Sequence, residues 1–306
     1  MTLMSKTTTP SGKTNPRIVF FGSEEFSLYS LQALVDAGFD VIAVVTKPDT
    51  ERGRGHVLTE PAVKKYAGQH GITVWQPTSL HELLPLIEPH KPAAGVLVSY
   101  GRIIPEALLE AFSPGIINLH PSLLPKYRGP SPIESAIANR DNKTGVTIMK
   151  LVKAMDAGPI YAQFPYALDG TETRLELHET LGRLGAHVLT STLPDIVDGN
   201  ITPIDQNTDD ASYCSILTRE DTYLDCSTIT PGEAEARIRA HLGFPRSRIK
   251  VGSYDLIVLK AHGVMTKKTP LDIECSNGAF LSIDSLIAPS GRTMTADEFL
   301  RGYPVA

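Results

Sequence analysis

The stretch "RIVFFGSEEFSLYSLQALVDAGFDVIAVVTKP", residues 17–48, decides the fold class. Its two ends are continuous β-rich apolar runs, which are typical of strands that are buried on both faces. Between them Phe26, Leu31 and Leu34 recur at helical spacing, and Gly38 ends the helix. A strand, a helix and a second strand in this order predict a parallel pair joined by a right-handed crossover.

The alternation continues along the chain. In chain order we predict a helix over 61–71, a strand over 93–101, a strand over 115–120 and two strands within 145–168. A long helix follows, with apolar residues at i, i+4, i+7 and i+11: Leu177, Leu181, Leu184 and Val188. This pattern predicts an α/β domain over 17–197 that is built on a mostly parallel sheet.

Three other regions have distinct compositions. Residues 1–16 are rich in Thr, Ser and Lys without the apolar core of a signal peptide, which indicates a flexible tail. Residues 198–210 are polar and rich in turn formers, which is typical of a linker. Beyond them, over 211–306, a helix near 231–241 precedes short strands with turn signals, which predicts a small OB-like β-barrel domain.

The overall composition is that of an ordinary globular protein, with 306 residues, 42% hydrophobic and 21% charged. No apolar run approaches the roughly 20 residues that cross a bilayer. A net charge of −5 argues against a surface that coats nucleic acid throughout, although a local basic face remains open. Cys214, Cys226 and Cys275 lack CxxC spacing, so we expect no disulfide, no metal site and a cytoplasmic location.

The stretch "IINLHPSLLPKYRG", residues 116–129, places two polar residues inside an apolar strand. Alternate side chains of a strand share a face, so Asn118 and His120 point the same way while Ile117 and Leu119 point the other. In open sheets of this class, ligands bind beyond the carboxyl ends of the strands. The polar pair is therefore expected to face a ligand crevice.

Asn118, His120 and Asp156 are the candidate catalytic residues. An amide donor can stabilise the oxyanion of a tetrahedral intermediate, a histidine can move a proton near neutral pH, and an aspartate can orient or charge that histidine. These are the requirements for acyl transfer from an activated donor to an amine. Strand-end Asn and His residues are as often turn formers or satisfied core groups, and Asp156 before Ala-Gly-Pro is also compatible with a simple turn.

The sequence "NLHPSLLPKYRGPSPI", followed by "GVTIMKLVKAMDAGPI", resembles the folate-dependent formyltransferases, above all the members that act on methionyl-tRNA. The shared pattern is Asn-x-His, then Ser-Leu-Leu-Pro-x-x-Arg-Gly, then an Asp that lies 36 residues past the His. The stretches "VVTKPDTERGRG" and "VSYGRIIP" are similar as well. The resemblance runs from Arg17 to about Leu193 and is weaker beyond.

The resemblance implies a Rossmann-like formyltransferase fold and a formyl donor, 10-formyltetrahydrofolate. Asn118 and His120 would polarise the formyl group and stabilise its oxyanion, while Asp156 would keep His120 suitably charged and assist proton removal from the attacking amine. Asp156 would also lie among the donor-binding residues. The other residues that the resemblance assigns to donor binding are Arg102, Ile103, Ile104, Ser122, Leu123, Leu124 and Pro125.

The resemblance also implies an acceptor, methionyl-initiator tRNA. Phe26 would enclose the methionyl side chain, and Arg54 occupies the position of an arginine that contacts the acceptor stem. A basic cluster free of acidic residues is a further candidate for phosphate contacts: Arg237, Arg239, Arg246, Arg248 and Lys250. His56 and Val57 replace two lysines that are common in the family, and residues 211–306 carry 11 basic and 11 acidic side chains. A nucleotide-linked amino sugar or water therefore remains an alternative acceptor.

Two other classes of protein share parts of this pattern. A nicotinamide-dependent oxidoreductase fits the α/β pattern, but "FFGSEEF" after the first strand lacks the glycine fingerprint GxGxxG. A binding module that senses folate or RNA without catalysis would not need the Asn-His-Asp set. We expect a monomeric enzyme without a membrane partner.

Overall fold

A computed structural model describes residues 15–52 and 57–305. Most of the predicted N-terminal tail and Arg54 lie outside these residues. Within them, no helix combines the length and apolarity that crossing a bilayer would require.

The first part of the chain alternates strands and helices. Its elements are β1 (Arg17–Gly22), α1 (Glu25–Asp36), β2 (Asp40–Val45), β3 (Thr50–Arg52), β4 (Val57–Thr59), α2 (Ala62–Gln69), β5 (Thr73–Trp75), α3 (Leu84–Ile87), β6 (Ala94–Val98), α4 (Glu106–Leu109), β7 (Ile116–His120), α5 (Pro132–Ala138), β8 (Lys143–Lys150), β9 (Ile160–Ala167) and α6 (Arg174–Val197). The C-terminal part contains α7 (Pro231–Ala240), β10 (Arg248–Val251), β11 (Tyr254–Val264), β12 (Asp272–Glu274), β13 (Phe280–Ile287), β14 (Thr293–Thr295) and α8 (Ala296–Gly302).

One sheet has the strand order β5-β2-β1-β6-β7-β8-β9. β1 lies parallel to β2 and to β6, β2 lies parallel to β5, and β8 and β9 form an antiparallel pair. Every residue of β6 and β7 is buried, as expected for central strands of a sheet that is covered on both faces. The predicted α/β class with a mostly parallel sheet is confirmed.

Helix α6 determines which face of β7 is free. Leu177, Leu181 and Val188 are buried, as the helical periodicity predicts, whereas Leu184 is only half-buried. A β-carbon on Gly185 would lie 2.7 Å from a methyl of Leu119, so the helix backbone packs directly against that side chain. Because side chains alternate along a strand, Asn118 and His120 of β7 point away from α6.

The chain divides into two compact units, one formed by the residues up to Ile117 with Leu189–Thr202, the other by Asn118–Val188 with the residues from Pro203 onward. The second unit includes a separate antiparallel sheet of order β10-β11-β13-β12, with β14 paired to β13. Leu256, Leu281 and Phe299 are among the fully buried residues of its core. Among the pairings found within residues 248–295, β10, β12 and β14 each pair with one strand and therefore lie at edges. The predicted domain boundaries stay predictions.

Candidate active site

Asn118 and His120 stand at the end of β7 on the face that α6 leaves free. Each side chain belongs to a residue that is only 5% exposed. Among residues 15–52 and 57–305, no hydrogen-bond partner is found for the Asn118 amide. The amide is not among the fully buried unpaired atoms of the described residues, so a ligand at the end of the strand can reach it and accept its hydrogen bonds.

His120 is held in a defined orientation. Its Nε2 lies 2.9 Å from the carbonyl oxygen of Tyr127. A carbonyl can only accept, so Nε2 carries a hydrogen, and Nδ1 is left to take up or release a proton. Nδ1 lies 3.8 Å from Oδ2 of Asp156, which is too long for a hydrogen bond but places the carboxylate beside the imidazole ring.

Asp156 adopts an unusual backbone conformation, with φ of 47°. Asp is one of the few residue types that enter this left-handed region readily. Its Oδ2 accepts a hydrogen bond of 2.8 Å from the backbone N–H of Gly129. A β-carbon on Gly129 would collide with the carbonyl oxygen of Cys214, so only glycine permits this backbone path.

The loop after β7 is fixed by bonds from β8. The hydroxyl of Thr147 donates to the carbonyl of Ser122 at 2.6 Å and accepts from the N–H of Leu124 at 3.2 Å. Ser122 and Leu124 are buried, and the Ser122 hydroxyl donates to a carbonyl within the loop. They therefore shape the loop, whereas Leu123 and Pro125 are only half-buried.

The other predicted donor and methionyl contacts belong to the first unit. Arg102 donates two hydrogen bonds of 2.9 Å to the backbone carbonyls of residues 77–78 and so supports that turn. Ile103 is 86% exposed, while Ile104 and Phe26 are buried. Their roles in binding stay predictions.

The basic cluster of the C-terminal part separates into two kinds of residue. Arg239 is held by Glu235 at 2.6 Å, and Arg248 is held by Asp255 at 2.7 and 3.0 Å. Both are therefore partly neutralised. The other three side chains are exposed, and we call them the exposed basic group: Arg237, Arg246 and Lys250.

Two residues in this region are not predicted from the sequence as part of the site. Arg128, only 3% exposed, and Gln206 bond to each other, and Gln206 also reaches the backbone beside Asp156. Arg128 is the arginine of the family pattern Ser-Leu-Leu-Pro-x-x-Arg-Gly, so that motif could have identified it as a site residue. Gln206 lies in the stretch predicted to be a linker, and nothing in its local sequence distinguishes it.

An amide donor, an imidazole with one available nitrogen and a carboxylate can together stabilise charge on a carbonyl oxygen and move one proton.

Residues 16–193 match the family model described as formyl transferase. The chain belongs to the formyl transferase family. This formyltransferase is 37% identical over 298 residues to the methionyl-tRNA formyltransferase of Halorhodospira halophila, covering 94% of this chain and 96% of that one. It is 36% identical over 304 residues to that of Myxococcus xanthus, covering 95% and 96%.

Solved structures support the fold of the formyltransferase. The N-formyltransferase from Helicobacter canadensis, determined with folinic acid and dTDP-3-aminofucose, superimposes with a TM-score of 0.65 at 18% identity, covering 88% of this chain and 98% of that one. HypX from Aquifex aeolicus, determined with tetrahydrofolic acid, gives a TM-score of 0.65 at 15% identity. That match covers 94% of this chain but only 47% of HypX. At these identities the likeness establishes the fold alone.

Proposed function

We propose that this formyltransferase transfers the formyl group of 10-formyltetrahydrofolate to the amino group of methionyl-initiator tRNA, as a cytoplasmic monomer that serves translation initiation. The observation that carries the proposal is the unpaired Asn118 amide beside a histidine whose available nitrogen faces Asp156. The full-length relatives named methionyl-tRNA formyltransferase support the acceptor.

Asn118 is proposed to bind the formyl oxygen. Its amide N–H groups are unpaired among the described residues, so they can bond the oxygen without first breaking an internal bond. Negative charge grows on that oxygen as the amine attacks, and the interaction strengthens in the transition state. A single donor of this kind is worth about 3–4 kcal/mol.

His120 is proposed to receive the proton of the attacking amine at Nδ1 and to return it to N10 of tetrahydrofolate as the bond between N10 and the formyl carbon breaks. The bond from Nε2 to Tyr127 keeps the ring oriented, so Nδ1 stays in place while the proton moves. The Asp156 carboxylate stabilises the imidazolium that results. A well-placed general base contributes roughly 10²–10⁴-fold to the rate.

Binding of the formyl donor by Arg102, Ile103 and Ile104 rests on the family resemblance. The unpaired amide of Asn118 is the observation that fits a formyl-bearing ligand at the end of β7. The half-buried Leu123 and Pro125 offer apolar surface in the loop that follows.

For the acceptor, the exposed basic group is the proposed phosphate contact in the second unit. Each phosphate that a protein neutralises on duplex nucleic acid adds about −0.9 to the slope of log affinity against log salt. A small-molecule acceptor would give a much flatter dependence.

The experiment is a competition of acceptors. The enzyme is incubated with 10-formyltetrahydrofolate labelled in the formyl group, together with charged initiator tRNA, a nucleotide-linked amino sugar or buffer alone. We expect label in formylmethionyl-tRNA, and loss of that product in His120→Ala. Label found only in the sugar or as free formate would reject the proposed acceptor.

A further inference from the structure

The segment of residues 204–214, which we call the strap, pairs with the loop that follows β7. Ser212 accepts a backbone hydrogen bond of 2.8 Å from Arg128, and Arg128 accepts one of 2.8 Å from Cys214. At its other end, Ile204 and Ile160 exchange two backbone hydrogen bonds of 2.7 and 2.9 Å. The strap is thus anchored on both sides of the loop that carries Asp156.

Gln206 is the strap residue that reaches Asp156. Its Nε2 donates two hydrogen bonds of 2.8 Å, one to the backbone carbonyl of Asp156 and one to that of Gly158. Its Oε1 accepts from Nε and Nη2 of Arg128 at 3.0 and 2.7 Å. All four of these bonds fit only one orientation of the amide, because a flip would set its oxygen against two carbonyls and its NH₂ against a guanidinium.

Arg128 strengthens this arrangement. It is buried, and within the described residues no carboxylate lies within ion-pairing distance of its guanidinium. Its charge is instead directed onto the carbonyl of Gln206 and, at 3.2 Å, onto the hydroxyl of Tyr213. A cation bonded to an amide oxygen polarises the amide and makes its N–H groups better donors.

From these contacts we propose that Gln206, supported by Arg128, is a positioning residue of the formyl transfer reaction. It acts through Asp156. Gln206 holds the main chain of Asp156 in its left-handed conformation, while Gly129 holds the carboxylate. The two attachments together set the distance between the carboxylate and His120. This inference rests on the proposed function for its reaction but not on the identity of the acceptor.

The loss of one attachment has a predictable consequence. A non-glycine residue with positive φ is stable only when its surroundings impose that conformation. Without the donors of Gln206, the carbonyl of Asp156 is free to turn toward solvent, and the carboxylate moves relative to Nδ1 of His120. Small displacements of this kind affect turnover far more than they affect ligand binding, because Gln206 is proposed to touch neither substrate.

The test is a double-mutant cycle with Gln206→Glu and Asp156→Asn. Glutamate retains the shape of Gln206 and the bonds from Arg128, yet it removes both donors to the backbone. We expect kcat to fall about 10–100-fold, by analogy with groups that orient metal-ligating residues, while KM for the donor stays within about threefold. In the Asp156→Asn background, the same change should alter kcat by less than about threefold, since coupled residues are not additive.

Two further variants make the result interpretable. Asn207→Ala is the matched control, because Asn207 is the next residue of the strap and, within the part of the chain that the structure describes, its side chain bonds only to Asp209 and Asp210. This variant should retain wild-type kcat. Gln206→Met removes all four bonds without adding charge, so it gives the same cycle if the glutamate variant does not fold.

The reaction is followed as release of tetrahydrofolate, which reports every acceptor. If the wild-type enzyme consumes donor without formylating tRNA, the proposed acceptor is wrong. The double-mutant cycle can still be measured in that case, because tetrahydrofolate is released with any acceptor. The inference is overturned if a folded Gln206 variant keeps kcat within about twofold of wild type, or if the change lowers kcat equally with and without Asp156.

Discussion

Replacement of Asn118 by leucine should separate catalysis from stability. Leucine has the branched shape of asparagine but no polar atoms. Since no described residue bonds the Asn118 amide, the change leaves no internal donor or acceptor unpaired. We therefore expect the free energy of unfolding to change by less than about 1 kcal/mol, while formyl transfer falls about 10²–10³-fold.

Thr147→Val is the contrasting substitution, because it removes a polar group that has hydrogen-bond partners in the protein. Its buried hydroxyl bonds two backbone groups of the loop, at Ser122 and Leu124. Valine leaves both groups unpaired, and we expect a cost of about 1–3 kcal/mol in unfolding free energy. Both substitutions replace a polar side chain by an apolar one, but only Thr147→Val should destabilise the protein.

The assay pairs urea unfolding with turnover of saturating labelled donor and charged tRNA. Asn200→Leu, the same substitution at an exposed position, serves as the control and should retain wild-type turnover. A leucine variant at Asn118 that keeps kcat within tenfold of wild type would refute its role as oxyanion donor. A loss of more than about 2 kcal/mol in stability would show that the amide has a protein partner.

The remaining predictions concern charge, pH and thiols. Alanine at all three positions of the exposed basic group should reduce the steepness of the salt dependence of tRNA binding by about 3 in the log–log slope, without changing KM for the donor; an unchanged slope would exclude these contacts. Burial lowers the pKa of His241 below its ordinary value, so the unfolded chain binds more protons, and stability should fall as pH drops below about 6.5, by at most about 1.4 kcal/mol per pH unit. Urea unfolding of His241→Gln at pH 7.5 and 5.5 should show a weaker dependence than wild type. Burial also raises the pKa of Cys226 to about 12, and neither this thiol nor Cys275 should react with a thiol reagent at pH 8 before the protein unfolds.

Much of the fold could be predicted because its signals are local. The β1-α1-β2 unit follows from apolar runs and helical spacing within 32 consecutive residues, and the observed elements agree with it. The polar pair of β7 could also be found, because alternation along a strand fixes that Asn118 and His120 share a face. Membership of the family was visible in the motifs that surround them.

The rest required the folded chain. The sequence by itself determined the α/β class, the polar pair and the candidate aspartate, since periodicity and motif spacing are properties of neighbouring residues. Only the tertiary structure decided that Asp156 faces Nδ1 of His120, that Arg239 and Arg248 are held by carboxylates, and that a segment with the composition of a linker supports the active site. The reason is physical: Gln206 bonds a buried guanidinium and two backbone carbonyls that are remote in sequence, and main-chain acceptors leave no trace in the pattern of side chains.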